Sequence, residues 1–102
     1  MEHGVVFVSF DLPMDTPIQR KDYRGFVKNL KRSGYLMIQE SLYVKPIQNQ
    51  RLFEGNIQEV EACLPRSGNV KVLYISERQY KEIRCVLGDS LPKLSLEKNI
   101  LF

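Results

Sequence analysis

Val5-Val6-Phe7-Val8-Ser9-Phe10 is the stretch whose reading decides the fold. It is β-branched and aromatic, apolar at alternating positions of both parities, and bounded by Gly4 before it and Asp11-Leu12-Pro13 after it. A strand of that pattern has both faces covered and so sits centrally in a sheet. Beyond it, Thr16-Pro17-Ile18-Gln19 supplies an N-cap threonine, a proline at the first helical position and a glutamine at N3, which together make a capping-box start. Tyr23, Phe26, Val27 and Leu30 follow at i, i+3, i+4, i+7, and Gly34 offers a left-handed stop. The spacing predicts a helix from Pro17 to about Ser33.

Tyr35 to Gln39 and Leu42 to Lys45 read as two further strands, with Glu40-Ser41 as a tight turn or bulge between them and Pro46 marking the edge or end of the second. Asn49 is placed to cap a second helix carrying Phe53, Ile57, Val60 and Leu64 on one face, with Gly55 costing about 1 kcal/mol relative to alanine. Pro65 stops that helix, Arg66-Ser67-Gly68-Asn69 turns, and Val70 to Ile75 is a fourth strand. Ser76-Glu77-Arg78-Gln79 reads as a turn or one helical turn. Ile83, Cys85 and Leu87 alternate with polar residues and predict a short fifth strand before Gly88, followed by a linker over 89–97 and an apolar end, Ile100-Leu101-Phe102. The order β-α-β-β-α-β is the α+β, ferredoxin-like arrangement, with two helices on one face of an antiparallel sheet. The other face is left open and apolar, which predicts a homodimer packed sheet to sheet.

With 102 residues, 43% of them hydrophobic and 26% charged, the chain suits one domain over 1–102, a core at 1–88 with a C-terminal tail at 89–102. Folding at this size buries only about 60–65% of the unfolded surface, so oligomerisation is an expected source of stability. No run of hydrophobic side chains exceeds four residues, which excludes a membrane-spanning helix. Met1-Glu2-His3-Gly4 has no basic segment of a secretory leader, so a cytoplasmic location is expected. Two cysteines, Cys63 and Cys85, and one histidine make neither a disulfide scaffold nor a zinc cage. The net charge of +3 is mild, but its distribution is not. Residues 17–32 hold Arg20, Lys21, Arg24, Lys28, Lys31 and Arg32 against Asp22, a net of +5, whereas residues 49–64 hold Arg51 against Glu54, Glu59 and Glu61. At helical spacing the six cations fall in one arc of about 120° away from the apolar stripe.

Four segments resemble one family: the strand ending Ser9-Phe10-Asp11-Leu12-Pro13 with Asp15-Thr16 after it; the helix with Arg20, Tyr23, Arg24 and Phe26, closed by Ser33-Gly34-Tyr35; Met37-Ile38-Gln39-Glu40-Ser41-Leu42-Tyr43; and Leu64 through Tyr80. In order and spacing these are similar to the CRISPR-associated protein two family, the small subunit of the spacer-acquisition complex, and in detail to members from type II systems. The resemblance covers residues 5–88. Glu40 departs from it, where such members more often carry aromatic bulk.

Read alone, Asp11 is a strand-terminating acid that caps a proline turn. The resemblance implies a further role, as the catalytic and metal-binding acid, with two copies meeting near a dimer axis to hold Mg²⁺. Ser9, two residues earlier on the same strand face, is either a support for that site or a small residue in the dimer interface. The cationic arc of Arg20, Lys21, Arg24, Lys28, Lys31 and Arg32 is either a solvated helix face or a track for duplex phosphates, and the resemblance favours the second. No aromatic is interleaved with it, so base stacking is not indicated. Arg78 and Lys81 are weaker candidates for the same surface. Asp15 reads as a loop group or helix-dipole partner and His3 as a residue of the chain start rather than a general base. No serine or cysteine nucleophile has a histidine partner. The resemblance therefore implies an adaptation protein that bridges integrase dimers, holds double-stranded prespacer DNA (RNA being a second substrate), and carries a Mg²⁺-dependent endonuclease activity. A toxin-like endoribonuclease without an integrase partner is the alternative.

Overall fold

The computed structural model of the chain describes residues 3–94. It contains β1 (Gly4–Asp11), α1 (Pro17–Arg32), β2 (Leu36–Gln39), β3 (Leu42–Ile47), α2 (Phe53–Glu61), β4 (Asn69–Ser76) and α3 (Glu77–Lys81). The four strands form one sheet in the order β2-β3-β1-β4 with every neighbour antiparallel. This is the ferredoxin-like α+β arrangement, and β1 is central as its two-faced apolar pattern requires.

The parity of β1 divides the molecule. Val6, Val8 and Phe10 are buried on one face with Phe26 and Leu30 of α1 and Val60 of α2. Phe10 meets Phe26 edge-on with ring centroids 5.2 Å apart, and stacks on Tyr43 at 5.7 Å. Burying each such side chain contributes about 1.5–3 kcal/mol, which makes this face the main core. The helix that covers it starts as its sequence dictates: Gln19 N donates to Thr16 Oγ1 at 3.1 Å, and Gln19 Oε1 accepts from Thr16 N at 3.0 Å and from Asp15 N at 2.9 Å. It ends at Arg32, with Ser33 as C-cap and Gly34 at φ +97°. The β2–β3 connection is both a turn and a bulge, for the pairing register shifts between Met37 and Gln39 and Ser41 lies at φ +62°. Pro46 pairs with Val5, beyond β2's first residue Leu36, which pairs with Val44; its missing N–H therefore costs the sheet little there.

The second face is less open than expected. Tyr80 of α3, Leu91 and Leu94 pack on Val5, Val44, Phe7, Ile38 and Ile75, and Tyr80 Oη donates to Pro92 O at 2.8 Å. The turn after β4 is thus a short helix with its own capping box, Ser76 to Gln79, and it directs the chain across that face. The predicted fifth strand is not formed in the described residues. Ile83, Cys85 and Leu87 lie exposed after α3, because alternation makes a strand only where a neighbouring edge takes its backbone donors, and none of the four described strands does so. The second helix also differs. Asn49 caps a 3₁₀ turn at Gln50–Leu52, accepting from Arg51 N, and α2 ends at Glu61. Pro65 biases Leu64 away from helical backbone, so Leu64 leaves the apolar stripe and is exposed. Ile100-Leu101-Phe102 lie outside the described residues. Among the described residues no helix is long and apolar enough to cross a membrane.

Candidate functional site

All six cations of α1 are exposed on the side of the helix away from the core. They are not equivalent. Arg20 Nη1 donates to Met14 O at 3.1 Å and Asp15 O at 3.2 Å, so this guanidinium braces the loop between β1 and α1. Among the described residues Lys21, Arg24, Lys28, Lys31 and Arg32 pair with no carboxylate. Asp22, the one acid in this helix, is taken instead by Arg66: its Oδ2 accepts from Arg66 N at 3.3 Å and lies 3.6 Å from Arg66 Nε. Diverting that acid leaves five free charges on one helix side, a form suited to a polyanion's backbone rather than to base edges.

Arg78 and Lys81 do not join that surface within one chain. They belong to α3, which packs on the opposite face of the sheet, and Lys81 Nζ lies 4.0 Å from Glu77 Oε1. Asp15 is exposed in the loop. His3 O accepts from Glu77 N at 2.8 Å, which ties the chain start to α3 and not to Asp11.

Asp11 ends β1 on the second face, exposed, opposite Asn69. Ser9 shares its parity and is exposed as well, opposite Leu42 on β3 and Lys71 on β4. The expected proximity of Ser9 and Asp11 on one face therefore holds. The backbone here is shaped by Gly68, at φ +108°: a Cβ at that position would lie 2.8 Å from Asp11 O and 2.7 Å from Leu12 Cδ2. Only glycine lets the turn before β4 close against the end of β1. Since Arg66 in the same turn holds Asp22, the turn spans from α1 to Asp11.

Lys71 was absent from the residues singled out by sequence. The signal for it was a charge inside the apolar run Val70 to Ile75, but only the β1–β4 register shows that Asn69, Lys71 and Leu73 share a face with Asp11 and Ser9. Toward Mg²⁺, one chain offers a single carboxylate, and no group of three or more His, Cys, Asp or Glu residues among those described gathers to hold an ion. Asp11 alone does not make a resident site. Its exposed carboxylate is an oxygen donor of the kind a hard cation accepts.

Burial shifts several titrating groups of the core. Tyr35 is pushed well above the ordinary tyrosine range, first by burial and then by Glu59 and Cys63. Cys63 is pushed up by burial and then by Glu59.

Comparison with known proteins agrees with this architecture. The model of the CRISPR associated protein Cas2 family matches residues 4–83, from the start of β1 to just past α3. A protein of Ligilactobacillus salivarius named CRISPR-associated endoribonuclease Cas2 is 37% identical over 98 residues, 94% of this chain and 97% of that one. A protein of the same name from Treponema denticola is 38% identical over 85 residues, 83% and 84% of the two chains. Another, from Streptococcus mutans, is 32% identical over 84 residues, 82% and 78% respectively. With the ferredoxin-like sheet, an acid at the end of β1 and matches that run nearly end to end, the chain belongs to the CRISPR-associated protein Cas2 family.

Proposed function

We propose that this chain acts in CRISPR spacer acquisition as a sheet-to-sheet homodimer in the cytoplasm, holding double-stranded prespacer DNA on the cationic sides of its α1 helices and bridging dimers of the CRISPR-associated integrase. The observation that carries the proposal is the set of five exposed cations on α1, free of carboxylate partners among the described residues because Arg66 takes Asp22. Phosphates neutralised by such a row release counterions, which gives affinity without sequence preference. Support for the dimer comes from the second face. Leu73, in the middle of β4, is 59% exposed beside half-buried Phe7, while the far end of the same face is covered by Tyr80 and Leu91. An exposed leucine on a sheet face is stabilised by a second copy at about 25 cal/mol per Å² of apolar surface removed from water.

A second activity, phosphodiester hydrolysis at Asp11, is supported by the exposure of that acid and by the relatives' name of endoribonuclease. Asp11 of each copy would hold Mg²⁺, which when bound supplies polarisation of a phosphoryl oxygen and activation of water. The chain's own part is to hold the Asp11 carboxylate at a fixed strand end, braced by Gly68, with the Ser9 hydroxyl beside it to donate a hydrogen bond. Substrate, whether DNA or RNA, is positioned by phosphate contacts.

The test pairs two assays on wild type, Asp11→Ala and a variant with Arg24, Lys28 and Lys31 changed to glutamine: spacer acquisition in cells, and cleavage with and without Mg²⁺. The helix variant is expected to lose acquisition, and its retention would reject the DNA-holding role. Asp11→Ala is expected to lose cleavage. If it acquires spacers normally, cleavage is separable from the architectural role. A toxin-like endoribonuclease acting without an integrase would show cleavage and no acquisition in any form.

A further inference from the structure

The second sheet face has two chemically different ends. Around Val5, Val44, Ile75 and Tyr80 it is apolar and covered. At the other end β1 presents Ser9 and Asp11, and β4 presents Asn69 and Lys71, all four exposed. In the antiparallel register Lys71 stands directly across from Ser9 and one step diagonally from Asp11, whose direct partner is Asn69. Diagonal neighbours across an antiparallel pair are about 7–8 Å apart, within reach of a long side chain.

Lys71 is nevertheless in no ion pair among the described residues, with Asp11 or with any other acid. Its neighbours along β4 on this face are Asn69 and exposed Leu73, so the ammonium is not neutralised locally. Asp11 is an anion within reach across the strand pair, yet no ion pair forms between them, so the exposed ammonium is free to take the anion of a ligand. A carboxylate, a hydroxyl, an amide and an ammonium at one sheet end are suited to a phosphodiester: the ammonium takes a non-bridging oxygen as a point charge, while Ser9 and Asn69 donate hydrogen bonds.

We propose that Lys71 is the phosphate-binding residue of the Asp11 end of the sheet, holding the backbone phosphate of a nucleic acid strand next to the Asp11 carboxylate. This rests on the reading of Asp11 as the working acid. It places a second cationic contact on the face opposite α1, one that addresses a single phosphate rather than a track of them.

The experiment is lysine acylation of the full-length protein, read residue by residue by mass spectrometry, in metal-free buffer so that no strand is cut. The probes are a DNA duplex and a single-stranded RNA, in separate arms that show which one supplies the phosphate. Lys71 is expected to react in the free protein and to lose reactivity severalfold with at least one probe. Lysines that are unreactive in the free protein at this position, or equally reactive with and without both probes, would overturn the proposal. In parallel, Lys71→Gln should lower the slope of log affinity against log salt for the protecting probe by about one per site engaged, and Lys71→Arg should restore it. A slope left unchanged by Lys71→Gln also overturns it. Asp11→Ala separates the two readings. Protection of Lys71 with undiminished cleavage in Asp11→Ala keeps the phosphate contact and removes Asp11 from the chemistry. Loss of cleavage in Asp11→Ala with no protection of Lys71 does the reverse.

Discussion

Changing Arg24, Lys28 and Lys31 to glutamine should alter how duplex binding responds to salt, by an amount that follows from the geometry of α1. From Lys21 to Arg32 the helix rises about 16 Å, a length along which duplex DNA carries about ten phosphates, about half of them on the facing side. Five cations are free to meet them, since Arg20 is engaged with the carbonyls of Met14 and Asp15. With about 0.9 per neutralised phosphate, the slope of log affinity against log salt is about −4.5 for each copy engaged, a fall of about 500-fold between 50 and 200 mM salt. The triple variant keeps Lys21 and Arg32, so its slope should be about −1.8 and the corresponding fall about 12-fold. Fluorescence anisotropy of a labelled duplex across that salt range measures both. All three side chains are exposed, so the melting temperature should stay near that of wild type. An unchanged slope in a folded variant refutes the reasoning: the helix face would then be merely solvated.

Tyr35→Phe removes a buried hydroxyl that has no hydrogen-bond partner among the described residues, so at neutral pH its unfolding free energy should be within about 1 kcal/mol of wild type or above it. The sign with pH follows from burial. The unfolded tyrosine releases its proton near about 10 while the native one holds it higher, so this contribution to stability is intact below about pH 10 and is lost as pH rises further. Alkaline unfolding should therefore begin at higher pH in Tyr35→Phe, and an earlier onset would count against it. Gly68→Ala forces a Cβ onto Asp11 O at a positive φ and should cost about 1–3 kcal/mol, whereas Gly55→Ala, with open space in α2, should stabilise by about 0.5–1 kcal/mol; chemical denaturation measures both, and equal effects would contradict the geometry. Iodoacetamide at neutral pH should label exposed Cys85 first, because Cys63 is half-buried and burial raises its thiol; peptide mapping that found equal rates would reject this.

What could be read without coordinates was whatever is written in local chemistry. The two-faced pattern of Val5 to Phe10, the capping box at Thr16 and the stop at Gly34 each name their own conformation, and each appears as written. The cationic side of α1 follows from helical periodicity alone. Features that depend on long-range placement were not legible. Ile83, Cys85 and Leu87 alternate like a strand, yet among the described residues they pair with neither edge of the sheet. Leu64 continues the periodicity of α2, yet the backbone bias before Pro65 takes it out. Asp22 looks like a cost to the basic helix until Arg66, distant in sequence, is seen to bind it. Lys71 is unremarkable in a list of residues, and the register of β4 against β1 is what sets it beside Ser9 and Asp11. Arg78 looked like an extension of the basic surface and lies across the sheet from it.

Because β1 assigns the core to its even residues and Ser9 and Asp11 to its odd ones, the strand works as a two-phase ruler. Deleting or inserting one residue before Ser9 would turn the polar pair toward Phe26 and Leu30 and send Val8 and Phe10 outward, exchanging stability and site in a single step. A two-residue change keeps the phase and shifts only the reach of Asp11 beyond Gly68. Length variation tolerated in this strand should therefore come in pairs, while in the loop after it a single-residue change leaves the phase intact and is limited instead by the Thr16 cap and the Arg20 contacts to Met14 and Asp15.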